Sequence, residues 1–221
     1  MKKTLIIFLL IKTILSEFDE SKVIIIYFTK TGTTEKFAEY IQEFIDVDSY
    51  KIVPLIEYPA ESEKMTIIAK EERENNTRPE IKEPLTDISK YDIILLGYPL
   101  WNGDIPNILI TQLELLGENL KGKKIYPFNT HGSSGIQNSV NTIKKYSVGA
   151  EVEEGFAITQ NDILNEKEIS KNEINKWLNK NFGFTPEEDY SKYIKLNYFI
   201  SILLYILLLF IIIIIIDLII L

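Results

Sequence analysis

A chain of 221 residues is long enough for one domain with a substantial core plus extensions at its ends. Its net charge of −8 excludes a nucleic-acid binder that displaces counterions with a basic stripe, and suits an acidic domain that attracts basic partners. The absence of cysteine excludes disulfides, zinc–thiolate and iron–sulfur sites and cysteine nucleophiles, and the single histidine, His131, excludes a multi-histidine metal centre.

Met1–Ser16 opens on Lys2-Lys3, runs through apolar Leu5 to Ile11 and closes on Ser16 before Glu17, the order of a secretory signal peptide. Lys12 interrupts that run and Ile14 stands where a small residue is preferred, so an uncleaved anchor is the alternative.

From Ser21 to Phe182 strand-like and helix-like stretches alternate, the pattern of an α/β domain with a parallel sheet. Val23–Phe28 is a continuous β-branched and aromatic run, as a strand buried on both faces requires. Lys36–Ile45 sets Phe37, Ile41, Phe44 and Ile45 on one helical face. Ile52–Leu55 reads as a second strand, with Pro54 marking an edge. Tyr58–Lys82 is polar, with a short helical turn over Met65–Ala69. Ile93–Gly97 is the third strand and Ile105–Leu116 the helix after it. Lys123–Phe128 and Gly135–Tyr146 make the next strand and helix. Glu151–Ile158 is the last strand and Glu166–Asn181 the last helix, with Ile169, Ile174, Trp177 and Leu178 inward. Five strands with right-handed helical crossovers make a doubly wound sheet, in which ligands bind beyond the carboxyl ends of the strands.

After a linker over residues 183–197, Tyr198–Leu221 is almost wholly apolar. As a helix it spans about 36 Å, against about 30 Å of bilayer hydrocarbon. Its Ile, Leu and Phe residues, at roughly −0.3 to −0.6 kcal/mol each, outweigh Asp217 at about +3 kcal/mol, so a single-pass transmembrane helix is expected. The side on which the domain lies stays open. A signal peptide places it in the secretory lumen or outside the cell, whereas Lys192 and Lys195 beside the tail favour the cytosol. A glycolipid-anchor signal is a third option, although the small residues that an attachment site needs are scarce near Ser191. The sequon Asn75-Asn76-Thr77 is compatible with a luminal domain.

Three strand-end loops carry the candidate chemistry. Thr29-Lys30-Thr31-Gly32-Thr33-Thr34 runs from the first strand straight into a helix. Successive amides there can curl around a phosphate, Gly32 permits the tight turn, and the threonine hydroxyls add donors. A helix cap alone needs one hydroxyl residue, not four threonines around a glycine. Tyr98-Pro99-Leu100-Trp101-Asn102-Gly103-Asp104 follows the third strand, a shaped loop in which a large aromatic can stack on a flat ring or simply pack on the domain. Thr130-His131-Gly132-Ser133-Ser134-Gly135 follows the fourth, with small residues that let amides approach a ring edge. His131 has no evident acid partner, so a hydrogen-bonding or packing role suits it better than general-base catalysis. No catalytic residue is assigned.

T-K-T-G-T-T after V-I-I-I-Y-F resembles the FMN phosphate loop of flavodoxins, and D-I-I-L-L-G-Y-P-L-W-N-G and P-F-N-T-H-G-S-S-G resemble the flavin-ring loops of a flavodoxin-like subfamily. R-P-E-I, at Arg78–Ile81, resembles that subfamily's lead-in to the third strand. The resemblance covers Ser21–Phe182 and implies a five-stranded sheet of order 2-1-3-4-5 with FMN as cofactor. It implies that Thr29, Lys30, Thr31, Gly32, Thr33 and Thr34 hold the phosphate. Tyr98, Pro99, Leu100, Trp101, Asn102 and Gly103 would flank the ring on one side, with Thr130, His131, Gly132 and Gly135 on the other. Asn102 stands where a second tryptophan is common and Ser133 where glycine is common. The implied function is electron transfer or flavin-dependent oxidoreduction, with a redox protein or a small-molecule acceptor as partner. A cofactor-free interaction module at the membrane is the rival.

Overall fold

The computed structural model describes residues 19–183. The expected signal peptide and transmembrane helix therefore lie outside the described residues. Among the described residues no helix is long and apolar enough to cross a membrane.

A parallel sheet forms the centre. Its strands are β1 (Val23–Phe28), β2 (Asp48–Ile52), β3 (Ile93–Pro99), β4 (Lys124–His131), β5 (Glu151–Val152) and β6 (Phe156–Thr159). The order is β2-β1-β3-β4-β5, and β6 also pairs with β4. β5 and β6 are two segments of one edge, meeting β4 at Lys124–Ile125 and at Phe128–His131 respectively. The expected last strand over Glu151–Ile158 is thus broken around Gly155. A Cβ at Gly155 would fall 3.0 Å from Val140 Cγ2 and closer still to Ile136, so the chain passes there without a side chain. Counted as one strand, the pair completes the order 2-1-3-4-5.

Every residue of β1 is buried, as its apolar run requires of a strand covered on both faces. β2 is mostly exposed, as an edge strand, and lies earlier than the expected Ile52–Leu55. Its partners Ile24 to Phe28 pair with Asp48 to Ile52, and Pro54 leaves the sheet to bridge Ile81 antiparallel. Polar Asp48–Lys51 hid this strand because an edge needs no apolar periodicity.

The helices are α1 (Thr33–Gln42), α2 (Ser62–Glu74), α3 (Asn107–Leu116), α4 (Ser139–Tyr146), α5 (Gln160–Asn165) and α6 (Lys167–Phe182). On one sheet face Ile24, Ile26, Phe28, Ile94 and Leu96 pack with Ala69 of α2, Ile108, Leu109 and Leu113 of α3, and Ile143 of α4. On the other face Phe37 of α1 meets Phe128 at 4.7 Å between ring centroids, and Trp177 of α6 stacks on Phe156 at 5.1 Å. The helical turn expected at Met65–Ala69 is a full helix of 13 residues, α2, with only Ala69 buried. So polar a helix carries little apolar signal. α4 starts at Ser139 rather than Gly135, which leaves the third loop free of helical constraint. Ile169, expected inward on the last helix, is exposed.

Gly97 lets β3 pass the core rings. A Cβ there would fall on the Phe128 ring and 2.9 Å from Tyr27 Cβ. Gly97→Val should therefore cost about 1–3 kcal/mol or more through overpacking. Urea unfolding reads this directly, and wild-type stability in the variant would show the site to be less tightly packed.

Candidate functional site

The three loops leave β1, β3 and β4 at their carboxyl ends, and those strands are adjacent and parallel. Thr130 joins them. Its hydroxyl lies 2.8 Å from that of Thr34 in the first loop, and both residues are buried. Its carbonyl accepts the Leu100 amide of the second loop at 2.9 Å. The segments therefore converge on one edge.

In the first loop Gly32 has φ +85° and caps α1 without any side-chain cap bond. The first amides of α1 consequently point outward with no helical partner. A Cβ at Gly32 would meet nothing within 4 Å, so the loop curls around open space. Thr29 Oγ1 accepts the Gly32 amide at 3.1 Å and fixes the curl. The hydroxyls of Thr31 and Thr33 lie 3.2 Å apart, close enough to converge on one anion. Thr33 and Thr34 are buried, Thr29 and Lys30 half-buried and Thr31 exposed. Glu35, in the first turn, would oppose an anion, but Lys51 Nζ holds both its carboxylate oxygens at 2.8 Å.

The second loop is a tight reversal. Trp101 and Asp104 exchange backbone bonds at 2.9 and 3.0 Å around Asn102 and Gly103, whose φ values are +50° and +75°. Both central residues being left-handed is the mark of a type I′ turn, which Asn-Gly adopts most readily. Asn102 at the position where the resemblance suggests tryptophan thus has a backbone reason. Tyr98, expected to flank a ring, is wholly buried, and its hydroxyl donates to Ser139 Oγ at 2.8 Å. Burial pushes that hydroxyl up to about 12. Trp101 is 8% exposed, and its indole stands edge-on to Phe28 at 5.5 Å and Tyr58 at 5.0 Å. Pro99 and Leu100 are half-buried, Gly103 likewise, and Asn102 is exposed.

In the third loop Gly132 is exposed and Gly135 half-buried, with open space where either Cβ would stand. Gly135 has φ +70°. Asn129 Nδ2 donates to its carbonyl at 3.3 Å, while Asn129 Oδ1 and His131 Nδ1 are buried with no hydrogen-bond partner among the described residues. Burial holds His131 below its usual 6.5, opposed by the charge of Asp162. The unfolded chain takes up that proton near 6.5 and the folded chain only at lower pH, so acidification through 6.5 lowers stability. His131→Gln should lose less stability than the wild type when urea unfolding is compared on either side of that pH. An equal loss would place the histidine in water.

One residue that reads in sequence only as the end of the second loop, with no role of its own, organises the site. Asp104 is buried, and its Oδ2 accepts from Arg73 Nη1 at 3.0 Å, Thr142 Oγ1 at 2.7 Å and Asn138 Nδ2 at 3.2 Å. Its Oδ1 accepts the Ile105 amide at 2.8 Å. The Asn138 amide in turn donates to the Gly103 carbonyl at 3.1 Å. Asp104 thus ties α2 and the start of α4 to the second loop. Its position just after Asn102-Gly103 was the available signal; its partners, distant in sequence, were not.

A family model described as Flavodoxin matches residues 22–181. The crystal structure of a candidate flavoprotein from Bacteroides eggerthii is similar at 30% identity and a TM-score of 0.55, covering 67% of this chain and 97% of that one. A second, from Bacteroides uniformis, is similar at 25% identity and a TM-score of 0.57, covering 68% and 99%. A flavoprotein from Lactobacillus acidophilus, crystallised in complex with FMN, is similar at 26% identity and a TM-score of 0.55, covering 66% and 97%. No curated protein matches the chain.

Proposed function

The chain belongs to the flavodoxin family, and on that footing we propose that it is an FMN-binding flavoprotein whose cofactor sits across the three converging loops. The observation that carries this reading is the double tie at Thr130, which sets a glycine-turned, threonine-lined helix start beside the other two loops. The neighbour that holds FMN supports the choice of cofactor. The residues fit the group on their own chemistry: open space at Gly32, Gly132 and Gly135, uncapped amides at the start of α1, and buried polar atoms of Asn129 and His131 in want of partners.

Thr29–Thr34 would hold the phosphate through amides and hydroxyls, with Lys30 adding charge, at roughly 1.5–3 kcal/mol per charge-assisted bond. Residues 99–103 and 130–135 would border the ring, and Tyr98 and Asp104 would hold those borders in place. Bound FMN supplies one- or two-electron chemistry at its ring. Burial of His131 disfavours a positive charge at the ring edge. The protein would then serve electron transfer or flavin-dependent oxidoreduction, with a redox protein or a small-molecule acceptor. A net charge of −8 favours a basic protein partner.

The apolar run Tyr198–Leu221 would tether the domain to a membrane. Protease protection of the domain in intact vesicles reads the side on which it lies. For the cofactor, the purified full-length chain should be yellow, with FMN as the released flavin. A colourless chain that refuses added FMN would overturn the reading.

A further inference from the structure

A cavity of about 350 Å³ lies between the segment that follows β2 and helix α2. It shares no lining residue with the three loops, although Tyr58 in its wall also packs edge-on to Trp101 of the second loop at 5.0 Å. Its volume falls at the small end of small-molecule sites, about 300–1,000 Å³. Leu55, Ile56 and Ile68 give it apolar walls, and Leu55 and Ile56 are 54% and 84% exposed. Those walls are held in place. Leu55 N donates to Glu80 O at 2.8 Å and Lys82 N to Val53 O at 2.9 Å, so the segment is pinned on both sides of the Pro54–Ile81 bridge. Behind it, Asn107 Nδ2 donates to the Glu72 carbonyl at 2.7 Å and anchors α2.

The polar lining is of one sign. Glu57, Glu72 and Glu80 line the cavity, with no lysine or arginine among the described residues that line it. Glu72 is half-buried, and its carboxylate accepts the Tyr58 hydroxyl at 3.0 Å. Among the described residues it makes no ion pair, and burial pushes its carboxyl up. A carboxylate drawn out of water without a cation is costly. An ammonium with three N–H donors removes that cost at short range. An anion would meet three carboxylates. A bare metal ion would find apolar walls, and among the described residues no group of carboxylates and histidine is arranged to hold one.

We propose that this cavity binds a small amphipathic cation, an aromatic or branched apolar body bearing a protonated amine, with the amine on Glu72 and the body on Leu55, Ile56 and Ile68. The test is calorimetric titration of the purified full-length chain, with and without added FMN, using 2-phenylethylammonium chloride and its uncharged counterpart 2-phenylethanol. The amine should bind saturably at one site and at least about tenfold more tightly than the alcohol, the worth of one charge-assisted bond. Glu72→Gln should erase that difference. Glu57→Lys, at an exposed position where folding is not at risk, should weaken the amine and leave the alcohol unchanged. Absence of saturable amine binding, equal binding of amine and alcohol, or an amine affinity indifferent to both substitutions would overturn the proposal.

Discussion

Gly32→Asp should leave the domain folded and lower its affinity for FMN by about a thousandfold, while Gly32→Ala lowers it by about tenfold or less. Both substitutions share one cost, since any side chain at φ +85° is strained by about 1–2 kcal/mol. Neither meets a clash, because nothing lies within 4 Å of the added Cβ. What separates them is charge. A carboxylate about 4 Å from a phosphate costs about 4 kcal/mol per charge pair at an effective dielectric of about 20, a factor of about a thousand. Fluorescence titration with FMN on both variants gives the comparison. Equal losses in the two would mean that the loop acts through its backbone shape alone, and wild-type affinity in Gly32→Asp would remove the phosphate from this loop.

Asp104→Ala should destabilise the domain by about 3–5 kcal/mol, the cost of breaking a buried pair from one side. Arg73 would keep its bond to the Ile105 carbonyl at 2.7 Å, but lose its carboxylate partner at Asp104. Thr142 and Asn138 would each lose an acceptor, and the Ile105 amide its side-chain cap. Because Asn138 N also holds the Gly103 carbonyl, the second loop should loosen as the fold weakens. Two readouts separate these effects: the urea midpoint, and FMN affinity measured well below it. A loss under about 1 kcal/mol would show the network to be solvent-screened rather than structural.

Those two residues also mark what could be read from sequence. The turn at Gly32 was legible because it is local: a glycine between threonines, directly after a buried strand, states the left-handed bend that starts α1. β1 and β3 were legible for a related reason, since strands covered on both faces must be apolar throughout. Asp104 was not, because its meaning lies in Arg73, Asn138 and Thr142, which only the fold brings to it. Thr130 reads in sequence as a loop residue, but its tie to Thr34 spans 96 positions. β2 and α2 were blurred because both lie at the exposed edge of the domain, where burial imposes no period. Trp101 leaves two readings open in sequence, stacking on a ring or packing on the domain, and only the fold shows its indole edge-on to Phe28 and Tyr58.

The most direct test compares FMN with riboflavin, which carries the same ring and lacks the phosphate. Titrated into the full-length chain stripped of flavin, FMN fluorescence should be quenched at one site, and riboflavin should bind at least about a hundredfold more weakly, the worth of about 2.7 kcal/mol of phosphate contacts. Equal affinities for the two, or no quenching by either, would contradict a phosphate grip at the start of α1 and with it the reading of this edge as a flavin site.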